Sequence, residues 1–317
     1  MNAHDFKTIL EIVLPVFLIV GIGGVLRKVG WLTTEADQSL MRVIINVLYP
    51  CLIFESVFDN QALRQGTTLW AAPLLGAASL GVGYALALLA ARWLNLPRTF
   101  QRRSFAFATG LCNYGYVAIP ITQVLFGKET LGALFVFNVG LELVLFTLMT
   151  TIGEHSVAHD WRKLINGPLV ALVLGVALNL SGQTAWIPHF AHVTMSMLGA
   201  CSVPLGILLA GAIGIDLLLR ERWTPQPAVM ASGFLVRQIL LPVLFLLAAW
   251  KLPVAQELKE VLVVHAAMPA GIFTIVFIKR YQGDVRVGFS VILFSLVLGL
   301  LTVPLWLRAG IAVLAWR

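Results

Sequence analysis

Apolar residues run along the chain in ten long blocks, and short polar connections separate each block from the next. A transmembrane helix needs about 20 mostly apolar residues, and these blocks have that length. We therefore predict an all-α polytopic membrane protein with ten spans and no soluble module. The predicted spans, numbered 1 to 10, are 8–27, 38–58, 69–91, 104–126, 131–152, 164–182, 193–215, 228–250, 258–279 and 286–308.

Span 4 is poorly suited to an unbroken helix between residues 110 and 120. Gly110, Gly115 and Pro120 each weaken or interrupt helical hydrogen bonding. The amide of Asn113 would find no hydrogen-bond partner in lipid. Non-helical backbone survives at membrane depth only where protein buries it or where it lines a water-filled cavity. The segment is therefore a candidate for a functional break.

Span 9 carries a similar interruption about 155 residues later, from His265 to Gly271, with Pro269 in the middle. Interrupted apolar segments at matching places in two halves are typical of secondary transporters, which bind cargo between them. The alternative is that both are proline-kinked packing helices, which are common in membrane proteins.

Composition agrees with a membrane protein and excludes an ordinary soluble domain. Hydrophobic residues make up 59% of the chain and charged residues only 12%, and the mean hydropathy is +0.90. The net charge of +7 does not indicate nucleic-acid binding, because the basic residues lie scattered between the apolar blocks. Cys51, Cys112 and Cys201 all lie within apolar blocks, where we expect them to be buried; their odd number does not favour a disulfide framework. No Cys/His spacing indicates a metal site, and we expect no cofactor.

The basic residues also predict the orientation. Of the 22 Lys and Arg residues, fourteen lie at connections 1–2, 3–4, 5–6, 7–8 and 9–10, seven lie at the other connections and the termini, and Arg237 lies inside span 8. Because cytoplasmic loops are enriched in basic residues, both termini should be external. Five spans per half then make the halves inverted repeats. The predicted division is 1–153 and 164–317, joined by a cytoplasmic linker, 154–163.

The second span of each half has a polar residue shortly before a proline. Span 2 carries Asn46 before Pro50, and span 7 carries Ser202 before Pro204. These prolines are interpreted either as kinks that shape helix packing or as marks of substrate contact, and the sequence does not separate the two.

Three segments together resemble the auxin efflux carrier family over the whole chain. Residues 113–120 resemble that family's fourth-helix motif, residues 266–272 and 276–281 its ninth-helix motif, and residues 295–304 its tenth helix. The resemblance implies a fold similar to bile-acid symporters and sodium–proton antiporters, with a scaffold and a core whose broken helices 4 and 9 cross. Members carry organic carboxylates such as malonate, malate and auxin.

The resemblance departs from the plant-type pattern at Cys112, where those members have proline, so the break in span 4 should depend on Gly110 and Gly115. A broken helix leaves backbone N–H groups free at the positive end of its second half, which suits an anion. Asn113 can add two donors without a fixed charge. The residues expected to bind substrate are Asn113, Tyr114, Gly115, Met268, Pro269, Ala270, Gly271, Asn46 and Ser202, and those expected to shape the crossing are Gly110, Cys112, Pro120, Pro50 and Pro204.

Charged residues inside spans are costly unless they are paired or hydrated. Arg237 lies near the middle of span 8 and Glu142 near the middle of span 5, so a static ion pair between them is one interpretation. In the other, Arg237 is a counter-charge for the substrate and a carboxylate carries a proton. Glu55 and His265 are further coupling candidates, although a lone histidine is more often a packed hydrogen-bonding group.

The predicted function is secondary active transport of small organic carboxylates by alternating access in the cytoplasmic (inner) membrane. The alternatives are a sodium-coupled symporter of a larger amphipathic anion and a non-transporting ligand sensor. No spacing typical of an enzyme occurs in the spans. Spans 1–3 and 6–8 are expected to supply the scaffold and outer helices. The expected partners are a carboxylate, the bilayer and a possible second copy of the chain, with no nucleic acid; the coupling ion is open between H⁺ and Na⁺.

Overall fold

The computed structural model describes residues 6–153, 165–182, 187–220 and 224–315, and the predicted linker 154–163 lies outside them. Helices dominate the described residues, and most connections between them are short. The helices are α1 (Phe6–Lys28), α2 (Thr34–Val43), α3 (Tyr49–Val57), α4 (Gly66–Ala90), α5 (Thr99–Gly110), α6 (Ala118–Leu125), α7 (Gly127–Met149), α8 (Gly167–Ser181), α9 (His189–Arg220), α10 (Pro227–Phe234), α11 (Leu241–Lys251), α12 (Gln256–Ala267), α13 (Thr274–Arg280) and α14 (Val285–Ala315).

Seven continuous helical segments of the described residues are long and apolar enough to cross a bilayer. Two of them combine numbered helices: Thr34–Val57 contains α2 and α3, and Pro227–Lys251 contains α10 and α11. The seven segments coincide with predicted spans 1, 2, 3, 5, 7, 8 and 10, which confirms a multi-pass helical membrane protein. The eighth apolar helix, α8, is shorter; the amide of Asn166 caps its start, and Gly182 follows it in the left-handed conformation that commonly ends helices.

Predicted spans 4 and 9 are broken, as the sequence indicated. Span 4 is divided into α5 and α6 by residues 111–117, and span 9 into α12 and α13 by residues 268–273. We call these segments the first break and the second break. Residues 111–117 and 268–273 belong to no regular helix, and each segment contains extended backbone next to the end of the preceding helix, so the interpretation as merely kinked helices is wrong.

The helices form two groups. Helices α1, α2, α3, α8 and α9 pack on one another and make the first bundle, while α4 to α7 and α10 to α14 make the second bundle, which contains both breaks. The bundles meet where α1 packs on α14 and where α3 packs on α7.

Span 3, expected among the scaffold and outer helices, belongs to the second bundle together with both breaks. The reason is a close backbone contact between α4 and α7. A Cβ atom on Gly76 would lie 1.9 Å from the carbonyl oxygen of Phe137, and one on Gly140 would lie 1.7 Å from that of Pro73. Small residues that let backbones approach are a common basis of helix association in membranes. Span 8, as α10 and α11, likewise packs on α12 and α14 rather than on the first bundle.

Two single π-helical turns each lie shortly before a proline, Ile44–Leu48 before Pro50 and Leu235–Leu240 before Pro242. Proline has no N–H, so a carbonyl one turn earlier loses its helical donor. In span 8 the carbonyl of Gln238 accepts a hydrogen bond from the indole of Trp306 at 2.8 Å instead. The second π-turn contains Arg237, whose side chain is fully buried.

Candidate functional site

The two breaks cross and pair with each other. The N–H of Asn113 in the first break donates to the carbonyl of Pro269 in the second at 2.8 Å. In return, the N–H of Gly271 donates to the carbonyl of Leu111 at 3.0 Å. This short antiparallel contact satisfies backbone groups that lipid could not.

The first break begins where α5 ends at Gly110. A Cβ atom on Gly110 would lie 2.8 Å from the backbone nitrogen of Tyr84, so only glycine permits this approach to α4. Leu111 then turns to an extended conformation, with φ −83° and ψ 112°. Gly115 has no such requirement, because a Cβ atom at that position would meet nothing within 4 Å. Pro120 lies in the first turn of α6, where a missing N–H costs little.

The second break begins with a proline. Helix α12 ends at Ala267, and Met268 is extended, with φ −68° and ψ 134°. The residue before a proline is disfavoured in the helical region, so Pro269 explains where α12 stops. Local sequence therefore ends α12, whereas a tertiary contact accompanies the end of α5.

One side chain caps the carboxyl ends of both half-helices. The guanidinium of Arg237 donates to the carbonyl of Met268 at 3.0 Å, to that of His265 at 2.9 Å and to that of Gly110 at 3.3 Å. The last carbonyls of a helix lack intrahelical donors, and that end carries partial negative charge. A fully buried cation at two converging carboxyl ends satisfies both requirements.

The predicted ion pair between Arg237 and Glu142 is therefore wrong. The guanidinium binds backbone carbonyls of α5 and of the end of α12, while Glu142 lies partly buried on α7. Carbonyls at a buried helix end need a donor, and Arg237 is that donor for α5 and α12. The sequence alone did not reveal that these two helix ends meet beside span 8.

Sequence reasoning also missed a hydrogen-bond network that stabilises the second break. The hydroxyl of Ser295 on α14 accepts the N–H of Ala270 at 2.9 Å and the side-chain amide of Gln238 at 3.1 Å. Gln238 is fully buried, and its amide oxygen accepts the hydroxyl proton of Thr302 at 3.2 Å. Two polar residues inside apolar spans could have indicated this network: the glutamine next to Arg237 and the serine in span 10.

Unused donors lie on the first break. The amide oxygen of Asn113 accepts the N–H of Val117 at 3.4 Å, and its NH₂ group has no partner among the described residues. In that part of the chain the N–H groups of Gly115 and Tyr116 also form no hydrogen bond. Near Gly271, where free N–H groups are also expected, the N–H of Gly271 itself donates to the carbonyl of Leu111, whereas those of Ile272 and Phe273 form no hydrogen bond among the described residues.

The first break also touches the first bundle. The ring of Tyr116 packs 5.2 Å from that of Phe273 and lies directly against Gly206 of α9, where a Cβ atom would be 1.7 Å from the ring. Ser202 lies one turn before Gly206, so both are on one face of α9. Its hydroxyl is fully buried and has no partner among the described residues. The crossing and Ser202 thus lie at the boundary of the two bundles.

Several predicted residues have other surroundings. Asn46 is exposed, and its amide donates to the carbonyl of Arg42 in its own helix at 2.8 Å, so the expectation that it binds substrate at the crossing is not supported by its position. Glu55 lies 3.4 Å from His192 on α9. The carbonyl of Tyr114 accepts the amide of Asn138 at 3.4 Å.

His265 is packed rather than open. Its ring lies 3.3 Å from the sulfur of Cys112 and between the rings of Phe137 and Phe245, at 5.2 and 5.1 Å. Only 2% of the residue is exposed, which fits the packed interpretation better than a path for protons.

The two prolines have different helical positions, and the expectation of buried cysteines is partly corrected. Pro50 lies in the first turn of α3, whereas Pro204 lies inside the continuous helix α9. Cys112 is buried as expected, but Cys51 is only partly buried and Cys201 is exposed.

Long apolar helices around two broken, crossing helices define a multi-pass membrane protein of the kind that moves solutes. The model of the membrane transport protein family, that of the auxin efflux carriers, matches residues 8–159 and 154–307, so the chain belongs to this family. The role that the family indicates is therefore transport across a membrane.

Two archaeal proteins are similar over nearly their whole length. An uncharacterized transporter of Methanothermobacter thermautotrophicus is 28% identical over 302 residues, which cover 93% of this chain and 96% of that protein. An uncharacterized transporter of Methanocaldococcus jannaschii is 24% identical over 307 residues, covering 94% and 97%.

Proposed function

We propose that the protein is a secondary active transporter of small organic carboxylates that works by alternating access. The observation that carries this proposal is the NH₂ group of Asn113, which lies without a partner among the described residues at the crossing of the two breaks. With the N–H groups of Gly115 and Tyr116 it makes three neighbouring donors. Carboxylates accept such hydrogen bonds well, and no fixed charge is needed to bind them.

Electrostatics of the backbone favour the same ligand. Helix α6 begins at Ala118, directly after these donors, and the amino end of a helix is partly positive. Arg237 neutralises the opposite, carboxyl ends of α5 and α12. A carboxylate at the first break would therefore meet positive potential without an ion pair, which permits release as well as binding.

The contact of Tyr116 with Gly206 supports alternating access. It joins the bundle that carries the crossing to the bundle that does not. A relative movement of the two bundles would carry the donors past α9, and Ser202 could then add a hydroxyl to the bound carboxylate.

The topology proposed for this function has ten spans. The seven long helices, α8 and the two broken pairs α5–α6 and α12–α13 make ten crossings of the inner membrane, in two inverted halves with external termini. Thiol labelling tests it: Asn2→Cys should react with an impermeant reagent on intact cells, and Thr99→Cys should not. Position 2 lies outside the described residues. The reverse labelling would contradict the orientation.

Asn113→Asp tests the substrate site. The new carboxylate keeps an oxygen for the N–H of Val117, so the break should keep its shape, but it replaces the free donor with negative charge. We expect transport of a labelled carboxylate into vesicles to be lost. For Asn113→Ala we expect an affinity loss of about tenfold to over a hundredfold, since a hydrogen bond to a charged group contributes roughly 1.5–3 kcal/mol.

The matched control is Asn46→Ala, which removes an asparagine amide that bonds only its own helix. It should transport as the wild type does at equal protein amounts. Wild-type transport by Asn113→Asp would instead show that this asparagine only packs the crossing.

A further inference from the structure

A cavity lies apart from the donors of the first break. It has a volume of about 290 Å³ and lies between α1 and α9 of the first bundle and α13 and α14 of the second. Its lining includes Gly21, Gly24, Lys28, Gly214, Ile275 and Leu293.

The cavity has open space and apolar walls. A Cβ atom on Gly21 or on Gly214 would meet nothing within 4 Å. The deep part is lined by aliphatic and aromatic side chains, among them Ile272, which directly follows Gly271 of the second break, and Phe289. Such walls favour a hydrocarbon and disfavour a small polyanion.

Lys28 supplies the one charge in this lining. It is the last residue of α1 and is exposed, and its amine forms no ion pair among the described residues. The neighbouring Arg27 is engaged with Asp37 and, at 3.1 Å, with Asp216. The amine of Lys28 is therefore available to an anionic group at the end of the cavity.

The length of the cavity suits one alkyl chain. Val20 and Lys28 both line it, and eight residues of helix rise about 12 Å. We propose that the cavity binds a single-chain amphiphilic carboxylate, a fatty acid, with its chain between α1, α9, α13 and α14 and its head group at Lys28. Because the space lies between the two bundles, a bound chain favours the arrangement of the bundles in which that space exists.

This site is separate from the proposed cargo site, and its test measures binding without transport. Full-length protein in nanodiscs of zwitterionic lipid is labelled with a decanoate analogue that carries a diazirine on its chain, and mass spectrometry maps the labelled residues. We expect labels on the cavity lining, displaced by decanoate and not by decyltrimethylammonium.

Gly214→Leu should fill the cavity and lower labelling at least about tenfold, the change that about 1.4 kcal/mol represents. Gly21→Leu is a second variant that fills the cavity. It is used if Gly214→Leu is not folded, which is judged by the absence of a cooperative thermal unfolding transition. Gly81→Leu is the matched control, because its Cβ also meets nothing within 4 Å but it lies on α4, away from the cavity. Lys28→Glu should lower labelling as well, since it reverses the charge.

Loss of labelling in the filling variants with retention in Gly81→Leu supports the site. Unchanged labelling in folded Gly214→Leu and Gly21→Leu overturns it, as does equal displacement by the cationic amphiphile. Labelling of the same residues by a photoreactive phosphatidylcholine that decanoate does not displace would overturn the fatty acid as the occupant.

Discussion

The two breaks look alike in the sequence but differ in what they leave available. In the second break, Arg237 binds the carbonyl of Met268, Asn113 donates to that of Pro269, and the N–H groups of Ala270 and Gly271 both have acceptors. In the first break, the amide of Asn113 and two backbone N–H groups have no partner among the described residues. The N–H groups of Ile272 and Phe273 in the second break likewise form no hydrogen bond among the described residues, so what sets the first break apart is the side-chain amide of Asn113. We therefore treat the second break as a support and the first as the side that binds.

The difference teaches that an interrupted helix is not by itself a binding site. Glycine and proline lie in or beside both breaks, yet those residues act differently: Pro269 stops α12 locally, while Gly110 allows α5 to lie against α4. Binding requires donors that the fold leaves unused, and the neighbouring helices decide which donors those are.

The largest expected effect comes from removing the cap that both breaks share. Arg237→Met leaves three buried carbonyls without their donor, and each costs about 1–3 kcal/mol, so we expect a loss of stability above about 3 kcal/mol. Arg237→Lys keeps the charge but cannot reach three carbonyls at once, and should be intermediate. The measurement is the thermal unfolding temperature and the yield of purified protein.

Arg308→Met is the control, since that arginine is exposed at the far end of α14. Adding Glu142→Gln to Arg237→Met should not restore stability. Recovery in that double variant would show that the two residues are coupled after all.

A smaller effect is expected from the support of the second break alone. Ser295→Ala removes the acceptor of the Ala270 N–H and a partner of Gln238, at about 1–3 kcal/mol for a buried group left unsatisfied. Ser79→Ala is the matched control, because that buried hydroxyl bonds only to Gly76 of its own helix. Equal unfolding temperatures for the two variants would argue against the support role.

The smallest expected loss of stability comes from adding a methyl group to one glycine in each break, and this comparison distinguishes the two breaks most clearly. A methyl group on Gly271 would lie 3.0 Å from the carbonyl oxygen of Cys112, so Gly271→Ala should cost about 1 kcal/mol of stability through overpacking. Gly115→Ala meets no atom within 4 Å and should fold as the wild type does, yet its methyl lies beside the proposed carboxylate and should weaken transport. A destabilised Gly115→Ala, or one with wild-type transport, would contradict the division between support and binding side.

Much of the architecture was predictable because its causes are local. Lipid excludes unsatisfied backbone, so long apolar blocks become helices, and seven of the predicted spans are long helices. Pro269 correctly marked the end of α12, since the restriction before proline acts on the neighbouring residue. Gly110 also coincides with the end of α5, but there the structure adds a tertiary reason, the close contact with α4. The motifs in spans 4, 9 and 10 were sufficient to predict the family.

Other features depend on which helices meet, and sequence spacing does not determine that. Arg237 was correctly recognised as buried, but its partners are carbonyls from two segments far away in the chain. Asn46 and Ser202 occupy similar places in their halves, yet Asn46 is exposed, whereas Ser202 is buried one turn from Gly206, where α9 packs against Tyr116. The sequence by itself determined a membrane transporter with two broken helices, while only the tertiary structure decided which donors of the two breaks stay free, since hydrogen bonds between distant segments form only after those segments pack.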